Sequence, residues 1–186
     1  MIRLLRVRFL LSFLKTVFIK IRYWKNIEVN PFKVYISPSA IIKITSGGKL
    51  IIKSKTGRVY ISRHSTIHCS SGTLTIGNGV FFNENNKLVC HKSIEIGDDC
   101  LFGPNVCVYD SDHAFSDHNA LIRDQGYTMK EIILDKDVWV GAGSVITKGS
   151  IVGSHTVIGA CTVVRGELKR NCVYAGNPVR LIKEIT

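Results

Sequence analysis

Apolar positions recur every six residues from Val140 onward. Val140, Ile146, Val152, Ile158 and Val164 keep strict sixfold spacing, and Gly141, Gly153 and Gly159 follow three of them. Ser144, Ser150, Thr156 and Thr162 stand four positions after the first four aliphatics. An aliphatic, a small neighbour and a small inward residue at period six predict a parallel β-helix of hexapeptide repeats. Three hexads close one triangular coil of about 18 residues, so each aliphatic stacks on its counterpart one coil away. Val140 is thus expected on Ile158, and Ile146 on Val164. The same count is legible at Ile76, Phe82, Leu88 and Ile94. It resets by two residues and runs on through Ile96, Phe102 and Val108. Shorter extended runs at 41–44, 50–52, 59–61 and 74–76 come earlier, separated by turn-forming glycines. The expected layout is a helical segment over 1–25, a transition over 26–40, the solenoid over 41–166 and a tail over 167–186.

The count stops at about Ala114 and resumes at Leu134. The polar, aperiodic stretch 114–131 between them is predicted to be extruded from the solenoid, and a loop that long in a compact fold usually serves a function. It follows directly on Tyr109-Asp110-Ser111-Asp112-His113. An imidazole titrates near neutral pH, so His113 at the mouth of the loop suits general base work. Asp110 and Asp112 suit orienting it, contacting a substrate hydroxyl or forming an ordinary polar turn.

The charge is uneven. The chain of 186 residues carries a formal +11, and residues 1–25 hold +7 of it with no acid. That leaves little excess on the body of the protein, and there is no interleaving of basic and aromatic residues of the kind that binds nucleic acid. The N-terminal segment interleaves its cations with Leu, Phe and Ile. Lys15 interrupts the apolar run, which is too short and too charged to span a bilayer, and no cleavage site follows. Two readings stay open: a helix that packs across the end of the solenoid or on a neighbouring subunit, and an interfacial helix held by anionic lipid with Tyr23 and Trp24 at headgroup level. The six cysteines form no CxxC pair and read as reduced packing residues of a cytoplasmic protein, peripheral at the inner face of the membrane if the helix binds lipid.

Asp-Ser-Asp-His before a loop, then Val138-Trp139-Val140-Gly141-Ala142-Gly143, then Ala175-Gly176-Asn177-Pro178-Val179-Arg180, resemble the hexapeptide-repeat O-acetyltransferases. These include the galactoside and maltose acetyltransferases and their relatives in surface polysaccharide clusters. The resemblance covers about residues 74–186. It implies a left-handed parallel β-helix, a homotrimer with active sites between subunits, and acetyl-CoA as acyl donor to a sugar acceptor. It places the catalytic base on His113 and the active-site tryptophan on Trp139, which meets acceptor and donor. Asn83 falls to the acceptor, joining Asp110 and Asp112, which are candidate acceptor contacts by their position beside His113. The backbone at Ala142 and Ala160 falls to the pantetheine and thioester, and Arg180 to the CoA phosphates. The family commonly has Thr-Lys-Asp where this chain has Arg165-Gly166-Glu167, so Arg165 would replace a missing cation there. The implied reaction is direct transfer to a sugar hydroxyl by general base catalysis, with no metal. Three other readings compete. One is an N-acetyltransferase of nucleotide-linked amino sugars. Another is a zinc carbonic anhydrase of the same fold, using His113, His118 and a third histidine from His64, His68 or His91. The last is a noncatalytic β-helix scaffold.

Overall fold

The computed structural model describes the backbone of residues 2–186 and the side chains of residues 7–186. The side chains of residues 1–6, including the cations Arg3 and Arg6, lie outside the described residues. The chain winds into a parallel β-helix of seven coils, as the sixfold count predicted, and the helix is left-handed, as the resemblance implied. Its first face stacks Ile27–Glu28, Lys49–Ile52, Thr73–Ile76, Ser93–Ile96, Ile132–Leu134, Ile151–Val152 and Glu167–Leu168. The second stacks Val34–Ile36, Val59–Ile61, Phe81–Phe82, Leu101–Phe102, Trp139–Val140, Val157–Ile158 and Cys172–Ala175, and ends with Arg180–Glu184 paired antiparallel on the last of these. The third stacks Ile41–Ile44, Thr66–Cys69, Lys87–Cys90, Cys107–Tyr109, Val145–Thr147 and Val163–Val164.

Alternation along each short strand sends one set of side chains inward. Val140 pairs with Ile158 and Ile146 with Val164. Leu50, Leu74, Ile94 and Ile132 form a fully buried column on the first face. Phe82 stacks on Phe102 with ring centroids 4.6 Å apart. Full burial of one such side chain stabilises by about 1.5–3 kcal/mol, and each coil realises it only against its neighbours. The two-residue reset in the count has a plain cause. Early strands of the first face are four residues long, so Ile94 and Ile96 both point inward from one strand.

Corners demand backbone that most residues avoid. Asn85, Asp99, Asn105 and Asp137 each adopt φ between 57° and 60°, the left-handed region that Asn and Asp tolerate best. Close packing of coils sets a second constraint. A Cβ on Gly141 would lie 2.5 Å from the Ala160 nitrogen, so nothing larger than glycine fits there.

The solenoid is longer than expected at both ends. Ile27 and Val34 already pair with the second coil, so residues 27–36 belong to the first coil and not to a transition. Glu167–Leu168 and Cys172–Ala175 build a seventh coil inside the expected tail. Turn residues such as Pro31 and Pro38 obscured the first coil. The extruded segment is a hairpin: Ser111–His113 pairs antiparallel with Tyr127–Met129, and its tip carries a short turn of 3-10 helix at Ile122–Asp124. Helix α1, Ile2–Arg22, lies against the first coil and covers its otherwise unpaired edge. Among the described residues no helix is long and apolar enough to cross a membrane.

Candidate active site

The sequence-predicted residues gather on two edges of the prism. The hairpin leaves at the edge between the third and first faces. His113 stands exposed at its base, its ring 4.5 Å from that of Tyr127. Tyr127 in turn stacks on His91, one coil below, at 5.2 Å. The cross-strand pair His113–Tyr127 arises because antiparallel pairing sets these two residues directly opposite. Tyr127 was not legible as a neighbour of His113, and His91 was named from the sequence only as a candidate zinc ligand. Tyr127 sits in the aperiodic stretch, where no spacing rule applies.

Asp110 is fully buried and both its oxygens are occupied. Oδ1 accepts the His91 N–H at 2.8 Å, and Oδ2 accepts the N–H groups of Lys92 at 2.7 Å and Ser93 at 2.9 Å. The expectation that Asp110 meets an acceptor gives way to a structural role. Its carboxylate ties the corner of its own coil to the coil below and fixes where the hairpin starts. Asp112 is half-exposed and forms an ion pair with Lys148 at 3.1 Å. A cavity of about 400 Å³ opens beside it, lined by Asp112, Phe115, Lys130, Lys148 and Arg165 among others. Arg165 therefore lies on the hairpin edge, away from Arg180.

The second edge, between the second and third faces, carries the remaining residues in vertical succession. Asn83 is in the third coil, Ala142 in the fifth, Ala160 in the sixth, and Arg180 is paired with Ala175 in the seventh. Trp139 projects outward from the second face just before this edge and is 54% exposed. Its inward neighbour Val140 is fully buried, as alternation requires. Among the hydrogen bonds of the described residues, the N–H groups of Gly141, Gly143, Gly159 and Cys161 all donate to other coils. Those of Ala142 and Ala160 do not, so this edge presents free backbone donors. Asn83 Oδ1 accepts the Glu84 N–H, while the asparagine ladder at this edge runs between Asn85 and Asn105. Below Asn83 the edge widens into a groove of about 460 Å³ lined by Arg8, Tyr35, Ser62, Arg63 and Glu84 among others.

Within one chain the third face separates the two groups. His113 is not brought to Trp139, Ala142, Ala160 or Arg180. Burial pushes the thiols of Cys69 and Cys100 up to about 12, so neither is a nucleophile near neutral pH. Cys161 is exposed, but on the second edge and across the third face from the imidazole. Among the described residues no group of three or more His, Cys, Asp or Glu side chains is gathered to hold a metal ion.

Free backbone donors on one edge and an exposed imidazole on another are the chemically usable groups of this β-helix. The pattern of the bacterial transferase hexapeptide (six repeats) matches residues 131–166. The "Putative acetyltransferase YJL218W" of Saccharomyces cerevisiae is 30% identical over 169 residues, covering 90% of this chain and 84% of its own length. The galactoside O-acetyltransferase of Escherichia coli is 34% identical over 127 residues, or 68% of this chain, and the match spans only 58% of that enzyme. Among solved structures, a mutant of AntD, an N-acyltransferase from Bacillus cereus in complex with dTDP-4-amino-4,6-dideoxyglucose and Coenzyme A, superposes with a TM-score of 0.69 at 25% identity. That match covers 83% of this chain and 82% of AntD. The chain belongs to the hexapeptide-repeat transferase family.

Proposed function

We propose that the protein is an acetyl-CoA-dependent O-acetyltransferase acting on a sugar hydroxyl, working as a homotrimer in the cytoplasm on surface polysaccharide precursors. The observation that carries this is the division of the candidate residues between two edges. An imidazole without a donor site on one edge, and free N–H groups without a base on the other, become one site when a second copy sets its Trp139 edge against this copy's hairpin.

In that site His113 takes the proton of the acceptor hydroxyl as its oxygen attacks the thioester carbonyl carbon. General base catalysis of this kind contributes roughly 10²–10⁴-fold. The Ala142 N–H donates to the oxyanion that forms, a backbone donor already fixed by the bonds of Gly141 and Gly143. The carbon–sulfur bond then breaks, and His113 returns its proton to the departing CoA thiolate. Trp139 covers the pantetheine and the acceptor, Ala160 lies along the pantetheine, and Arg180 and Arg165 meet the CoA phosphates from the two edges. Asn83 and Asp112 are the acceptor contacts. The raised thiols of Cys69 and Cys100 exclude these two as acyl-enzyme nucleophiles.

One observation favours a second reading. AntD, of the same fold and 25% identical, is an N-acyltransferase in complex with an amino-sugar nucleotide. Release of free CoA thiol from acetyl-CoA, measured with matched hydroxyl and amino sugars, separates the two. Turnover with hydroxyl acceptors alone supports O-acetylation. Turnover confined to amino acceptors replaces it with N-acetylation, and none with either removes the enzymatic reading.

A further inference from the structure

Helix α1 is turned inside out. Its buried stripe is Ser12, Thr16 and Ile19, and it packs on the first coil through polar contacts flanked by two aromatic pairs, Phe9 with Tyr35 and Phe13 with Phe32. Ser12 Oγ accepts the Ile36 N–H at 2.8 Å. Lys15 Nζ donates to the carbonyls of Ser37, Pro38 and Ala40. Lys20 Nζ donates to the Val29 carbonyl. These are edge groups of the first coil, so the small and charged residues of α1 satisfy the open end of the prism while Phe9, Phe13 and Ile19 pack beside them. What it leaves outside is apolar. Val7, Leu10, Leu11, Leu14, Phe18 and Ile21 are all exposed, by 46–69%. At 3.6 residues per turn they share about 100° of arc, centred roughly opposite the buried stripe. Trp24, 71% exposed, extends this face beyond the helix, with the Lys25 ammonium 4.9 Å from its ring centroid.

The flanks of this face decide what covers it. Arg22 and Lys25 are exposed beside it, and the first acid in the sequence is Glu28. A second copy meeting it end to end would set these cations against their own duplicates with no carboxylate between. A neighbour set along the hairpin and Trp139 edges would lie beside the prism, whereas this face points out from its end. An apolar face flanked by exposed cations complements an anionic lipid surface, where the side chains enter the acyl boundary and the cations meet headgroup phosphates.

We propose that the N-terminal end of the solenoid docks on an anionic bilayer through the outer face of α1, with Leu14 and Phe18 inserted and Arg22 and Lys25 at the headgroups. This stands independently of the acetyl transfer reading. The test is flotation of the full chain with vesicles of phosphatidylcholine, alone or mixed with phosphatidylglycerol, at low and high salt. The wild type is expected to float with the mixed vesicles at low salt. Its partition should weaken at least about tenfold on neutral vesicles or at high salt, because screening shortens the reach of the headgroup charge. Leu14→Glu/Phe18→Glu, which removes only exposed apolar groups, should lose binding while keeping the wild-type melting temperature and native mass. Arg22→Glu/Lys25→Glu should lose it too and provides the test if the first variant folds poorly. The proposal is overturned if the wild type stays in solution with anionic vesicles at low salt, or binds neutral ones equally well. It is also overturned if either folded variant still floats, or if Leu14→Glu/Phe18→Glu changes the native mass, which would make the face a protein contact.

Discussion

Replacing Asp110 with alanine separates a structural carboxylate from an acceptor contact. The side chain is fully buried, and its two oxygens receive three backbone N–H groups from the coil below. A hydrogen bond to a charged group contributes about 1.5–3 kcal/mol, and buried donors left without a partner each cost about 1–3 kcal/mol. The three bonds share one carboxylate whose desolvation cost disappears with it, so the sum is not additive. A net loss of about 3–5 kcal/mol is the reasonable range. For a domain of this size each kcal/mol moves the melting temperature by about 2–4 °C, which gives a fall of roughly 6–20 °C. Asp110→Asn should fall by less, since its remaining oxygen can keep one or two of the bonds while its amide opposes the others. Thermal unfolding by circular dichroism reads both. If Asp110→Ala unfolds at the wild-type temperature and loses only acceptor affinity, the carboxylate is an acceptor contact and the structural reasoning is wrong.

Other substitutions test separate parts of the account. His113→Ala should lower turnover by roughly 10²–10⁴-fold with native mass and CoA binding retained; residual turnover above about a tenth would remove its role as base. Gly141→Ala should destabilise by about 1–3 kcal/mol or more, because the new Cβ meets backbone atoms of Gly159 and Ala160 at 2.7 and 2.5 Å. Gly166→Ala, at φ 79° with open space around it, should cost only backbone strain of roughly 1–2 kcal/mol, so a larger loss than at Gly141 would contradict the packing argument. Burial, then Lys43 and His91, lower the pKa of His68 below its ordinary value. The unfolded chain then takes up this proton first, so the contribution is full above about pH 6.5 and is lost as the pH falls through the lowered folded value. Melting temperature should therefore fall from about pH 7 to about pH 5, and His68→Asn should flatten that slope.

The solenoid was legible because its constraint is local and repeated: Val140, Ile146, Val152, Ile158 and Val164 each answer to the same inward slot. Ile27 and Val34 occupy equivalent slots, yet the prolines and short strands around them hide the period. His113 and Trp139 were singled out by motif and position, and both side chains are exposed, on opposite sides of the third face. Asp110 was misassigned because a turn-forming aspartate and an acceptor contact look alike in sequence; only its burial and three N–H partners distinguish them. Tyr127 was invisible because cross-strand pairing in the hairpin, and no sequence spacing, sets it against His113. The inverted face of α1 was hidden as well. Its apolar residues lie on one side, but the side that packs is polar, so the sequence pattern does not say which side meets protein.

The central claim is that a complete site needs His113 from one copy and Trp139 from the next. Subunit mixing tests it directly. His113→Ala and Trp139→Ala proteins, each assayed alone for acetyl transfer at low acetyl-CoA, should both be nearly inactive. Unfolded together and refolded as a mixture, they should recover activity, because about a quarter of the interfaces in random closed assemblies pair an intact His113 with an intact Trp139. If the mixture stays as inactive as its parts while forming assemblies of wild-type mass, the two residues serve one site within a single chain, or no common site, and the account of a shared site fails.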